Sequence, residues 1–202
     1  VSKVDHEERR TQIAEALLRI ADSQGLQAAS MRVVAAEAGV SLRLVQYYFH
    51  TKEELLMDGL ARLGVQLQAR MSAWIAAAGS PPTPRGTVTA ILSSVLPTDA
   101  ESRRITRTWS AYYTLVLTEP ALAERHGTAH ADLLESFLAK QIRAAQEAGD
   151  VAPGRDPVLA AAGLLAMTNG LGSSVLGGQR TGEAALAILT HHLAELFTPE
   201  DQ

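Results

Sequence analysis

Apolar residues recur along this 202-residue chain at spacings of three and four, and no stretch settles into sustained alternation. That rhythm gathers apolar side chains on one face of an α-helix and disfavours half-buried strands, so the expected fold is all-α. At this length a hydrophobic content of 47% suffices for a real core, in one domain or in a small domain attached to a larger one. Cysteine is absent, which leaves no disulfide framework and no thiolate chemistry and fits a reducing cytoplasm, the expected location. The charged opening VSKVDHEERR lacks the apolar segment of a secretory signal. The longest apolar run, Val158 to Met167, is too short to cross a bilayer, so no membrane partner is expected.

The punctuation resolves about nine helices. The first runs from about Asp5 to Gln24, with Ile13, Leu17, Ile20 and Ala21 on one face and Gly25 as its stop. A short second helix follows Ser30, where Met31, Val34, Ala35 and Ala38 share a face, and Gly39 ends it. Ser41 has the character of an N-cap for a third helix, Leu42 to about Tyr48. Thr51 and Glu54 have capping-box spacing ahead of a fourth, which continues to about Ala78. GSPPTP, residues 79–84, breaks the chain. Further helices are expected near 86–96, 99–117, 119–148, 156–177 and 182–197.

Two short helices joined by a tight turn containing glycine form the helix-turn-helix pattern, in which the second helix enters the DNA major groove. On that second helix Val45, Tyr48 and Phe49 share one side by i, i+3, i+4 spacing and belong against Met31, Val34 and Ala35. Arg43, Gln46 and Tyr47 share the other side. Arg pairs with guanine O6 and N7, Gln with adenine, and a Tyr ring touches a thymine methyl or a sugar. Tyr48 is expected to lay its ring on the core and point its hydroxyl toward a phosphate. Lys52, Ser30 and Arg32 stand at helix starts, where free N–H groups favour phosphate. Charge agrees mildly: residues 1–52 carry seven Lys/Arg against six Asp/Glu, while 53–202 carry eleven against sixteen.

Gly25-Leu26, Ala28-Ala29-Ser30-Met31, Val34-Ala35, Ala38-Gly39-Val40-Ser41, Tyr48-Phe49 and Lys52-Glu53-Glu54-Leu55-Leu56 occur in one register. Over about residues 8–58 the chain resembles the DNA-binding domain of the TetR family of transcriptional regulators. The resemblance implies a homodimeric, all-helical repressor, with a three-helix DNA-binding domain at 1–52 and a ligand-binding and dimerisation domain at 53–202. The DNA-binding residues expected are Ser30, Arg32, Ser41, Arg43, Leu44, Gln46, Tyr47, Tyr48 and Lys52. The family usually carries small residues, often Gly-Thr, at the positions of Arg43 and Leu44, and Tyr at that of Gln46. The docking mode therefore carries over, while the base each residue reads stays open. Arg103-Arg104, Arg107-x-Trp109, Glu119-Pro120-Ala121-Leu122 and Ala166-x-x-Asn169-Gly170-Leu171 more loosely resemble the BetI-type C-terminal domain of that family, where Asp-Gly-Leu is common in place of Asn-Gly-Leu.

Other constellations have competing readings. His126 and His130, with Glu124 and Asp132 nearby, have i, i+4 metal-ligand spacing, but a solvated helix face explains them without a third ligand. His191 and His192 are adjacent and expected to diverge. Arg103, Arg104 and Arg107 either grip an anion or form a salt-bridged face. Asn169-Gly-Leu-Gly-Ser-Ser174 lacks the preceding strand of a nucleotide loop, so its small residues are expected to admit another helix, from a second subunit.

A largely apolar effector pocket is expected among Trp74, Trp109, Tyr112, Tyr113, Phe137 and Met167, with Tyr112, Tyr113, Gln141 and Asn169 as polar anchors. No cofactor or bound metal is expected. The expected partners are a double-stranded operator, a small-molecule effector and a second copy, joined through the last two helices. Val158, Leu159, Leu164, Leu165, Leu186, Leu189, Leu193 and Leu196 supply apolar faces for that contact or for the core. The competing function is a helical small-molecule-binding protein or a hydrolase without DNA binding.

Overall fold

The helix starts follow their capping residues. In the computed structural model, which describes residues 3–118 and 129–197, the N-terminal quarter forms α1 (Lys3–Gln24), a 3-10 turn at Leu26–Ala28, α2 (Met31–Glu37) and α3 (Leu42–Tyr48). The Val33 N–H donates to Ser30 Oγ at 3.2 Å and the Leu44 N–H to Ser41 Oγ at 3.1 Å, so both serines cap the helices they precede. Gly39 leaves α2 with φ 67°, a conformation glycine adopts without steric cost. The Val40 N–H then reaches Ala35 O and the Gly39 N–H reaches Ala36 O, the paired bonds of a Schellman ending.

Six helices follow: α4 (Lys52–Ala77), α5 (Pro84–Val95), α6 (Ala100–Thr118), α7 (Ala129–Glu147), α8 (Pro157–Leu176) and α9 (Gly182–Leu196). The described residues are thus helical nearly throughout, with one isolated antiparallel bridge, Val151 to Phe197. Thr51 Oγ1 accepts from the Glu54 N–H, and the Glu54 carboxylate reaches back past Thr51 to the His50 N–H at 2.8 Å, which closes the expected box one residue early. Helix α5 begins at Pro84, ahead of the expected residue 86. Proline's missing N–H costs nothing at a first helical position, and Thr83 caps the turn. Residues 119–128 of the helix expected over 119–148 lie outside the described residues.

Contacts divide the chain into two compact units, Val1–Gln66 with Arg107–Pro120 and Leu67–Thr106 with Ala121–Gln202. Within the first, Ile13, Leu17, Ile20, Leu26, Val34, Val45, Phe49, Leu55 and Leu63 are almost fully buried. Each such aliphatic or aromatic side chain contributes about 1.5–3 kcal/mol on leaving water. Helix α1 is tied to α2 by Arg19–Glu37 at 2.7 Å and to the α2–α3 turn by the Gln12 amide donating to Ala38 O.

The second unit has a core of Val88, Ile91, Leu92, Leu96, Leu138, Ile142, Ala161, Leu189 and Phe197 with their neighbours. Arg70, almost buried, donates to Ser94 O, Asp99 and Glu101, joining α4 to the α5–α6 turn. Helix α8 is the one described helix long and apolar enough to cross a membrane by length and composition; Ala161, Leu164, Leu165, Thr168, Leu171 and Val175 sit in the core. The small-residue expectation needs a correction at Gly172. An added Cβ would stand 3.4 Å from Thr106 Cγ2 and 3.8 Å from Pro97 Cδ, so its close neighbour belongs to the same chain. Gly163 and Gly170 face open space.

Candidate functional site

Helix α3 has two chemically distinct sides. Val45 and Phe49 are fully buried and Tyr48 is 8% exposed, while Tyr47 is 65% exposed and Arg43 and Gln46 lie open beside it. Leu44 is half-buried. Seven helical residues capped at the start and anchored at two sealed positions hold the outward side chains on a fixed backbone, and Arg10 adds a guanidinium 4.7 Å from the Phe49 ring. Ser30, Arg32, Ser41 and Lys52 are exposed. The two serine oxygens accept a capping bond each, and each hydroxyl keeps its proton to donate outward. The Tyr48 ring lies 5.2 Å from Tyr47 in an edge-on arrangement and 4.6 Å from the imidazole of His6 on α1.

Behind that surface lies a charged brace that periodicity did not reveal. Asp58 on α4 accepts from Arg10 at 2.7 Å and from Arg62 at 2.8 Å; Arg62 also donates to Thr11 Oγ1 and to Glu7. The Asp58–Arg62 spacing of four is readable in the sequence, but Arg10 lies 48 residues from its partner and gives no local signal. Burial opposes the charge of Arg62, yet the hydrogen bonds it donates to Asp58 and Glu7 raise its pKa overall. Glu54 is held below the ordinary carboxylate range, first by the His50 N–H bond.

The effector candidates fall in both units. In the first, Tyr112 is 3% exposed and its hydroxyl donates to Leu56 O at 2.7 Å, Tyr113 is 59% exposed and Trp109 is half-buried. Burial pushes the Tyr112 phenol pKa up, and the charge of Asp58 adds to the shift. In the second, Trp74, Gln141 and Met167 are half-buried, and Phe137 and Asn169 are exposed. Met167 lines an open groove with Ala160, Gly163, His192 and Leu196, between α8 and α9.

Of the arginine group, Arg107 pairs with Asp22 at 2.9 Å, as a salt-bridged face requires. His191 and His192 do not diverge as expected. Their rings stand 5.3 Å apart, and both approach Glu195, which at i+4 and i+3 is long enough to serve both. His126 and Glu124 lie outside the described residues, and of His130 only the helical backbone is described.

Residues 13–58 match the family described as bacterial regulatory proteins, tetR family, and residues 84–198 match the BetI-type transcriptional repressor C-terminal family. The chain belongs to the TetR family of bacterial transcriptional regulators, with a BetI-type C-terminal region. It is 36% identical over 110 residues to the HTH-type transcriptional regulator PksA of Bacillus subtilis, a match spanning 54% of this chain and only 52% of that protein. It is 28% identical over 193 residues to the regulator BetI of Burkholderia thailandensis, across 95% of this chain and 94% of the other. A transcriptional regulator of known structure from Rhodococcus sp. RHA1 is 29% identical, with a TM-score of 0.77 over 93% of this chain and 95% of that one.

Proposed function

We propose that the protein is a homodimeric, non-catalytic, cytoplasmic repressor that releases a palindromic operator when a small, largely apolar molecule binds. Residues 1–52 form the DNA-reading head, and residues 53–202 carry the effector site and the subunit contact. The single observation that carries this reading is the two-sided α3: Arg43, Gln46 and Tyr47 open to solvent over a sealed Val45 and Phe49. Two such helices, one per subunit, enter successive major grooves about 34–36 Å apart. Arg43 and Gln46 read base edges and Tyr47 and Leu44 add apolar contact. Ser30, Arg32, Ser41, Lys52 and the Tyr48 hydroxyl hold phosphates and set the register.

The subunits pair through α8 and α9. Leu159 at 71% exposure, Val158 at 48%, and the open faces of Gly163 and Gly170 support close approach of a second helix pair there. The effector acts through its difference in affinity for the DNA-competent and incompetent conformers, typically about 1–3 kcal/mol of coupling. Among the candidates for contacting it, Trp74, Phe137, Gln141, Met167 and Asn169 lie in the second unit, and Trp109, Tyr112 and Tyr113 in the first. The test is duplex selection from random DNA with the purified protein, followed by gel retardation of the selected sequence against carrier DNA. A palindromic consensus bound by the wild type and lost in the Arg43→Ala/Gln46→Ala variant is expected; no enrichment above carrier refutes the reading.

A further inference from the structure

We infer that His6, on the first described turns of α1, is a phosphate-binding residue of the DNA-reading surface; this rests on the repressor reading above. The sequence places His6 about forty residues from the recognition helix, and nothing in its local pattern marks it. The fold brings it to the far end of α3. Its ring lies 4.6 Å from that of Tyr48 and 6.2 Å from that of Tyr47, with Tyr47 and Tyr48 themselves 5.2 Å apart. Three rings thus meet in a cluster whose inner member, Tyr48, is nearly buried and whose outer members, His6 and Tyr47, are exposed. The buried ring fixes the place of the imidazole.

Among the described residues, several charged side chains of α1 and α4 are already committed. Glu7 pairs with Arg62, and Arg10 pairs with Asp58 and faces Phe49. On the α3–α4 side, Glu54 holds the His50 N–H. The ring nitrogens of His6 meet no hydrogen-bond partner among the described residues. An exposed imidazole carries at least one N–H donor and favours an anionic acceptor.

The distance permits a phosphate contact: with Tyr47 in a major groove about 12 Å wide, a side chain about 6 Å to one side of its ring comes within reach of the phosphate wall. His6 therefore contributes affinity without sequence choice, beside a Tyr47 that faces the groove.

Three variants at this position separate donor, ring and charge: His6→Ala, His6→Phe and His6→Lys. Phe keeps a ring against Tyr48 but has no donor; Lys restores a cation without the ring. Binding is measured on the selected operator and on a random duplex at several salt concentrations, with melting temperature as the fold control. We expect Ala and Phe to weaken both duplexes by the same factor, about tenfold. Lys is expected to bind at least as well as wild type, with a salt slope steeper by about one per head. Wild-type affinity for His6→Phe shows that the ring merely supports Tyr48 and overturns the inference alone, as does His6→Lys binding worse than His6→Phe. A wild type that binds no duplex overturns the repressor reading together with it. Should His6→Ala melt early, the comparison of Phe with Lys still decides.

Discussion

Arg43 and Lys52 both stand exposed, yet they are expected to fail differently when removed. An arginine that reads a guanine edge discriminates between bases. Arg43→Ala is expected to cost about 1–3 kcal/mol on the selected operator and to relax the consensus at one position, measured by repeating the duplex selection. A lysine on phosphate is blind to sequence. Lys52→Ala is expected to weaken all duplexes alike and to lower the salt slope by about one per head, read from affinities across a salt series. Glu54 makes a pH prediction independent of DNA. Its folded pKa lies below its ordinary value, chiefly because the His50 N–H bonds the carboxylate. The unfolded chain therefore binds the proton more readily, so this contribution is present above the ordinary carboxylate pKa and is lost as pH falls through the folded value. Glu54→Gln is expected to flatten the acid side of the stability curve, with little change in the difference from wild type above neutrality, as followed by thermal melts.

Helices pack where their side chains leave room, and α4 leaves it at Gly59. A Cβ there would sit 2.6 Å from Tyr112 Oη and 2.8 Å from Leu17 Cδ2, so α1, α4 and α6 converge on the space a methyl group would fill. The Tyr112 hydroxyl uses that gap to reach Leu56 O. Gly59→Ala is expected to destabilise by about 1–3 kcal/mol through overpacking, and Tyr112→Phe by about 1 kcal/mol through the lost hydrogen bond. Because removing the hydroxyl also removes the closest clash, Gly59→Ala is expected to cost less in the Tyr112→Phe background. Denaturant midpoints of the four proteins in this cycle measure the coupling, and strict additivity would place the two residues out of contact.

At the scale of the proposed dimer, the apolar surface of α8 is expected to decide whether two heads can bind together. Leu159 is 71% exposed and the adjacent Val158 48%, apolar surface that a second helix pair would cover. Leu159→Glu is expected to weaken self-association at least about tenfold, since a buried leucine contributes about 1.5 kcal/mol or more and a buried carboxylate has no partner to offset it. Sedimentation across a concentration series reads that change. Operator affinity is expected to fall in parallel, while the melting temperature changes little at concentrations where both proteins are monomeric, because the substituted side chain faces solvent in the monomer.

Much was legible in the residues alone, for physical reasons that act locally. Ser30, Ser41, Gly25 and Gly39 declare helix ends because capping and left-handed glycine are settled by the chain within a few residues. The three-four spacing of Val45, Tyr48 and Phe49 separated the sealed side of α3 from the open one before any contact was known. Tertiary structure decided what depends on distant residues meeting. Arg10 and Asp58 are 48 positions apart, Tyr112 and Leu56 are 56 apart, and His6 joins Tyr48 across forty-two, and no periodicity encodes such pairs. Gly172 read as a place for a second subunit's helix, and the fold filled it with Thr106 of α6 and Pro97 of the same chain. Local propensity chose the helices and their faces; only packing, which ranks contacts by shape regardless of sequence separation, chose the partners.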